Sequence, residues 1–520
     1  MTFNSIPIIQ QKVQSDFESL LATVMNPEGE RSSVDAMERH LYKQLLQLGA
    51  MLLQLFLLVR AQACRREAVT NAAGQRLPYH SLRQRCYYTI FGKLTLLRPY
   101  YYQAGVGAES PLEASLGVGQ GCYSDLLREW HEEISVYLPY EKAGQLLKRL
   151  LGLDLSKRVL QQFVLEDAED VAAFYQQQAP PAAEEEAAIL VVQADGKGIP
   201  LVQASHNRRQ VRLRRGQARS RKKAVVVTAL YTIPAARRSA EEVLQSLLNA
   251  EEAQETASTL RQRPVHKQLW GTLAGKPAAL DRLRQQVVKR DGAHIQQRVM
   301  LCDGDKSLQA HLLARFPTFT LILDFIHAVE YLWKAANSLH GEGSAEALSW
   351  VTTQTRRLLT GQLTPLIQLL RQQAAPPGCT KHQQKVLRQV ANYFEHNQDY
   401  MQYAAYLERG WPIASGVIEG ACRHFVKDRM ELSGMRWHQH GAEQLLRLRA
   451  VAENGDWESY HRFRKQRRQH RLYGCEWPQP LPLSSAQADA PAASQPTPAT
   501  VAALADMRWL HTYDQLPLAG

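Results

Sequence analysis

Residues 297–324 read QRVMLCDGDKSLQAHLLARFPTFTLILD. A short apolar run closes on Asp303, a helix-length segment SLQAHLLARF follows, and a second short apolar run closes on Asp324. Short runs of this kind separated by a helical interval are the pattern of strands in an α/β sheet. The same texture extends upstream in AILVVQAD (188–195), in KAVVVTALYTI (223–233) and in a helical interval around 276–290. An α/β sheet is therefore expected across the middle of the chain. Residues 328 to about 408 return to helical spacing rich in Gln, Leu and Arg, and separate TLILD from the segment PIASGVIEG (412–420). They read as a helical insertion into the α/β domain.

Upstream of residue 180 the chain has another character. Residues 34–67 have a helical pattern with few breakers. RCYYTIFGKLTLLRPYYYQ (85–103) reads as a hairpin turning at Gly92, with Pro99 expected to limit the second strand to an edge. LPYEKAGQLLKRLLGLDLSKRVLQQFV (138–164) reads as helix, turn at Gly152, and a second helix capped by Ser156. That is a helix-turn-helix pattern, in which Lys157, Arg158 and Gln161 could enter a major groove, or else an ordinary helical hairpin. QQQAPPAAEEEAA (176–188) looks like a linker, and the Pro/Ala/Ser-rich stretch 478–500 is expected to be poorly ordered.

At 520 residues, 45% apolar, the chain is expected to hold several domains. Its net charge of +12 favours a polyanionic partner. Seven cysteines without a CxxC pair argue for reduced thiols in a cytoplasm and against a disulfide framework or zinc ribbon. The most apolar stretch, 50–59, is too short and too interrupted by Gln to predict a membrane span, and no export signal is visible.

Three carboxylates carry the chemistry. Asp195 and Asp303 each close an apolar run, and Glu419 is expected at a helix start after Pro412 and Ser415. Rigidly held carboxylates are what hard divalent cations need, and a pair of ions bridging attacking and leaving oxygens performs phosphoryl transfer. Asp324 competes for one ligand position, and with His327 three residues later it can equally form a pair that N-caps a helix. Arg423 and Lys427, four and eight residues beyond Glu419, are expected on nearly its helix face. HNRRQVRLRRGQARSRKK (206–223) holds nine Arg or Lys and no acid, and HRFRKQRRQHR (461–471) adds six. Such density points to phosphate contacts, with Arg208, Arg209, Arg212, Arg214 and Arg215 in the run nearest Asp195.

The segments VVQADGKGI, LCDGDKSLQAHLLARFPTFTLILDFIHAVEYLW and GVIEGACRHFVKDRMELSGMRWHQHGAEQLLRLRA resemble bacterial insertion-sequence transposases of the DDE type, related to the Mutator-like transposases. The resemblance covers roughly residues 190–450. It implies a multidomain α and α/β protein: a ribonuclease-H-like catalytic domain (181–335 and 411–455) with a helical insertion (336–410), preceded by a mostly helical DNA-binding region (1–180) with its helix-turn-helix near 138–170, and followed by a basic segment and tail (456–520). It further implies that Asp195, Asp303 and Glu419 hold two Mg²⁺, or Mn²⁺ in their place, with Asp324 and His327 as the supporting motif. DNA contacts would extend to Arg423, Lys427 and Arg436, and to Trp437 if it steadies a flipped base rather than packing in the core. The implied activity is cleavage at the terminal inverted repeats and joining of the 3′ hydroxyl to target DNA by a homo-oligomer in the cytoplasm, with no membrane involved. A structure-specific nuclease and an inactive DNA-binding regulator are the alternatives. Paired cysteines that some relatives carry after the N-terminal hairpin are missing here, which argues against a zinc module.

Overall fold

The computed structural model describes residues 5–26, 33–71, 73–202, 222–248, 263–375 and 378–474. The chain forms two compact units, residues 1–127 with 466–520, and residues 128–465.

The first unit is built on two long helices, α1 (Ser5–Met25) and α2 (Val34–Ala63), and on strands β1 (Val69–Thr70), β2 (Arg76–Leu77), β3 (Tyr79–Thr89), β4 (Gly92–Gln103) and β5 (Gly107–Glu109). Ser33 caps α2 by accepting the N–H of Ala36, as a helix start requires. By length and composition α2 would pass as a membrane span. However, Gln54 makes two hydrogen bonds with the Thr95 backbone, and Leu57, Leu58 and Ala61 are buried. The helix is thus docked on β4. The hairpin turns where expected, with Gly92 at φ 112°. Pro99 does not mark an edge strand, because β4 is the middle strand of β3-β4-β5. Its neighbour β5 reaches only Tyr101–Gln103, so no ladder bond is demanded of the proline nitrogen.

The second unit opens with helices α4 (Asp125–Tyr137), α5 (Tyr140–Leu151), α6 (Lys157–Asp167) and α7 (Val171–Gln177), the short α3 (Pro111–Ser115) belonging to the first. Gly152 ends α5 in the left-handed conformation and Ser156 caps α6, as the sequence suggested. The stretch read as a linker is held in place. Glu186 is buried, accepts from Arg290 and faces His294 at 3.0 Å.

Beyond it lies a five-stranded mixed sheet of β6 (Ile189–Pro200), β7 (Lys222–Ile233), β8 (Val265–Thr272), β9 (Gln297–Cys302) and β10 (Thr320–Leu323). The order is β10-β9-β6-β7-β8. β6, β7 and β8 are antiparallel, whereas β9 and β10 run parallel to β6. Alternation along β6 assigns its two faces. Leu190, Val192 and Ala194 pack with the helices Lys276–Arg290 and Lys306–Arg315, α9 and α10 once α8 (Ala240–Leu248) is counted. Ile189 and Val191 face α11 (Phe325–His340) and the helices that follow it, α12 (Ala345–Leu359), α13 (Leu363–Gln373), α14 (Lys381–Asn397) and α15 (Tyr403–Glu408). On that same face, Val225, Val227 and Ala229 of β7 are covered by α16 (Gly416–Ala421), the turn after it, and α17 (Gln439–Glu453). The chain closes with α18 (Trp457–Tyr473). The protein is a multidomain chain with a helical portion and a mixed α/β portion.

Candidate active site

Strand register puts three aspartates abreast. β6 and β9 pair up to Gln193 and Leu301, so two residues further along bring Asp195 alongside Asp303. β9 and β10 pair up to Cys302 and Leu323, and the next residues are Asp303 and Asp324. The Asp324 N–H donates to the Cys302 carbonyl at 2.9 Å, fixing the two loops together. All three acids therefore lie at the carboxyl edge of the parallel half of the sheet, where open α/β sheets place their ligands. Asp195 differs from expectation in one respect. Its strand does not end there but continues to Pro200, because β7 pairs with every residue from Ile189 to Pro200. The aspartate sits where β9 leaves β6, not where β6 ends.

Asp324 is the most constrained of the group. It is fully buried, and Oδ1 accepts the N–H groups of Ile326 (3.2 Å) and Ser415 (3.0 Å), while Oδ2 lies 2.6 Å from His327 Nδ1. Burial alone would raise its pKa, but these bonds outweigh it and hold the carboxyl below the usual range. His327 moves the other way. The Asp324 hydrogen bond and charge push it up to about 9, so the ring is an imidazolium at neutral pH. Its Nδ1 is also 3.9 Å from Glu419 Oε1. Asp324, His327 and Glu419 are close enough to share one metal ion, their ligand atoms lying within 4.8 Å of one another. No such group among the described residues contains Asp195 or Asp303.

Glu419 reaches this edge because α16 is anchored from both sides. The Ile418 N–H donates to Gln193 Oε1 on β6, and Gln193 in turn donates to Tyr231 on β7. Ser415 Oγ donates to Glu419 Oε1 at 3.1 Å. Burial and the neighbouring Asp324 raise the Glu419 pKa, as burial and the neighbouring Asp195 raise that of Asp303. Crowded carboxylates that resist ionising are the donor set a divalent cation would relieve, and all are hard oxygen donors. Of these residues, Asp324 and Glu419, with His327, lie close enough to fit one such ion.

The helix does not continue regularly after Glu419. Residues Cys422–Lys427 form a π turn, one residue wider than an α turn. Arg423 and Lys427 are exposed. Buried Arg449 donates to the His424 (2.5 Å) and Phe425 (2.6 Å) carbonyls of that turn and to Val136. The turn also carries Cys422, whose thiol donates to Asp195 Oδ2 at 3.3 Å and whose pKa burial pushes up. On the other side, the Phe425 ring lies where a Cβ on Gly271 of β8 would stand, 2.6 Å away, so only glycine allows this approach. Gln193, Ser415, Cys422 and Arg449 were not anticipated from sequence. All four lie inside segments singled out from sequence, Ser415 only as a helix start, and only the tertiary contacts give them a role at the site.

Cations gather beside the acids. Lys197 follows Asp195 by two residues on one strand face, and its charge acts on Cys422 and Glu431. Glu431 also pairs with Lys222 and feels Lys427. Lys197 is legible in QADGKGI only once the strand is known to continue. The other expected DNA contacts fall variously. Lys157 and Arg158 are exposed on α6, Lys157 pairing with Glu141, while Gln161 lies against Gly441 of α17. Arg436 is exposed. Trp437 is only 7% exposed and donates its indole N–H to the Met430 carbonyl, which is core packing. Arg208, Arg209, Arg212, Arg214 and Arg215 lie outside the described residues. In the second basic run, Arg464 is buried on Asp167 and Lys465 pairs with Glu129, so part of that charge is structural.

No protein-family profile and no curated protein matches the chain. Among solved structures it is similar to the Drosophila P element transposase strand transfer complex, at 8% identity over 70% of this chain and 84% of that one. The TM-score of 0.25 is too low for the likeness to bear on fold or function.

Proposed function

We propose that this chain is a metal-dependent polynucleotidyl transferase acting on DNA, a transposase of the DDE type with a ribonuclease-H-like catalytic domain. The observation that carries the reading is the meeting of Asp195, Asp303 and Asp324 at one sheet edge with Glu419, brought there by α16 from more than ninety residues further on. The strand order, three antiparallel strands followed by two parallel to the first, supports the fold assignment.

Asp195, Asp303 and Glu419 are the metal ligands in this reading. Asp324 is the alternative ligand, since its carboxylate lies with His327 and Glu419 within the span of one ion, and it also orients His327 and the Ser415 backbone, and through Ser415 the Glu419 carboxylate. A pair of magnesium ions, or manganese, would supply the positive charge that attacking and leaving oxygens need in an in-line displacement. The His327 imidazolium offers a proton-donating group 3.9 Å from Glu419 Oε1. Lys197, Lys222 and Lys427 hold the DNA backbone beside them, and the run at 206–223 extends that contact. DNA partners are the element's terminal inverted repeats and a target duplex, the working form is a homo-oligomer, and the setting is the cytoplasm.

The test uses the full chain with DNA spanning an element end and its flank. Asp195→Ala, Asp303→Ala and Glu419→Ala should each abolish cutting with Mg²⁺ or Mn²⁺, weaken Mn²⁺ binding by paramagnetic resonance, and leave DNA binding intact. Cutting retained in Asp303→Ala but lost with Mn²⁺ affinity in Asp324→Ala would transfer the ligand role to Asp324. Pre-cut ends incubated with a target plasmid separate transposase from plain nuclease, since only the former yields joined product.

A further inference from the structure

Asp303 stands on the short turn between β9 and α10, and that turn is held by a helix from a distant part of the sequence. Gln309 of α10 is buried, and its Nε2 donates to the Asp303 carbonyl at 3.1 Å and to Asn397 Oδ1 at 2.9 Å. Asn397, also buried and 88 residues beyond Gln309, ends α14 and donates from Nδ2 to the Tyr393 carbonyl at 2.8 Å. A backbone carbonyl only accepts, so the Asp303 and Tyr393 carbonyls at the two ends dictate which way both amides face. The relay has a single direction.

The rest of the turn is tied down as well. The Tyr393 ring fills the place that a Cβ on Gly304 would take, and is itself stacked on Tyr331 of α11 at 3.6 Å. Asp305 donates its N–H to Asp303 Oδ1 at 3.0 Å and caps α10 by accepting the N–H of Leu308. The carbonyl of Asp303, the glycine after it and one of its carboxylate oxygens are thus each fixed, the first two from α14.

Had α10 and α14 only to pack, an apolar pair would serve and leave no buried polar atom to satisfy. A buried amide pair costs stability unless every partner is present, and a complete one specifies one geometry. Ligands of a divalent ion need that precision: they must stand within about 0.5 Å of their working positions, secured by the groups behind them.

We propose that Gln309 and Asn397 are positioning residues for Asp303, through which the end of α14 sets where that carboxylate stands for a divalent ion. The inference rests on the reading of Asp303 as a metal ligand. It makes α14, which follows β10 in sequence, part of the construction of the site.

The test uses the full chain. Gln309→Met keeps the reach of the side chain but loses the donor, and should raise the Mn²⁺ dissociation constant, read by paramagnetic resonance, by about tenfold or more. In cleavage of DNA spanning an element end, kcat at fixed Mn²⁺ should fall with KM for DNA unchanged, and part of the loss should return as Mn²⁺ is raised. Asn397→Ala cuts only the tie to α14; it should weaken Mn²⁺ binding in the same sense by a smaller factor, and serves where Gln309→Met fails to fold. Leu387→Ala, buried on the same helix but outside the relay, should lower the melting temperature and leave the Mn²⁺ constant as in wild type. Unchanged Mn²⁺ constants in Gln309→Met and Asn397→Ala, with wild-type binding that Asp303→Ala weakens, would overturn the inference and leave the catalytic reading standing. An equal loss of Mn²⁺ affinity in Leu387→Ala would also overturn it, since instability alone would then explain the effect. Wild-type Mn²⁺ binding that does not respond to Asp303→Ala would remove the ligand role of Asp303 and this inference with it.

Discussion

Replacing Asp324 by Asn isolates one interaction at the candidate site almost without changing its shape. The amide Oδ1 still accepts from Ile326 and Ser415, so the N-cap of α11 and the hold on the Ser415 loop persist. The amide nitrogen then faces His327 Nδ1, which must accept rather than donate, and the ring is neutral. In the wild type the imidazolium persists up to about pH 9 against an ordinary value of 6.5. At about 1.4 kcal/mol per tenfold change in proton affinity, this corresponds to at most about 3 kcal/mol, and to about 1–3 kcal/mol allowing for the ring's partial exposure. Because the folded pKa is raised, the contribution is fully present below pH 6.5 and disappears as pH rises through 9. The stability gap between wild type and Asp324→Asn should therefore be widest near pH 6 and narrow steadily toward alkaline pH. Urea unfolding across that range measures it, and NMR titration of the His327 ring reads the pKa directly. A wild-type ring titrating near 6.5, or a gap that does not depend on pH, would refute the account of this pair.

Gly304→Ala should destabilise the chain by about 1–3 kcal/mol, because its Cβ would stand 2.4 Å from the Tyr393 ring, itself stacked on Tyr331 at 3.6 Å. Gly196→Ala, with open space around its Cβ, should melt like wild type in the same calorimetric scan. Arg449→Leu leaves the carbonyls of the π turn and Val136 buried without a donor, so a loss of about 1–3 kcal/mol per carbonyl is expected by urea unfolding. Lys197→Ala should lower the slope of log affinity for DNA against log salt by about one, as loss of one phosphate contact predicts. An unchanged slope in a fluorescence anisotropy titration would remove Lys197 from the DNA surface.

Period and punctuation determined much of this protein from sequence alone. Apolar runs fixed the strands at 189, 223, 297 and 320, Ser156 and Asp324 announced their helix starts, and Gly152 announced a helix end, because these depend on bonds between near neighbours. Tertiary structure decided the rest. Only the pairing of β7 shows that the strand runs past Asp195, and only that continuation puts Lys197 on the same face as Asp195. The π turn after Glu419 follows from Arg449 meeting its carbonyls and Phe425 packing on Gly271, contacts no local pattern encodes. Arg464 reads as a free cation until Asp167 is found against it. A residue's type limits the chemistry it can perform. Which role it takes depends on partners hundreds of positions away, and those are chosen when the layers pack.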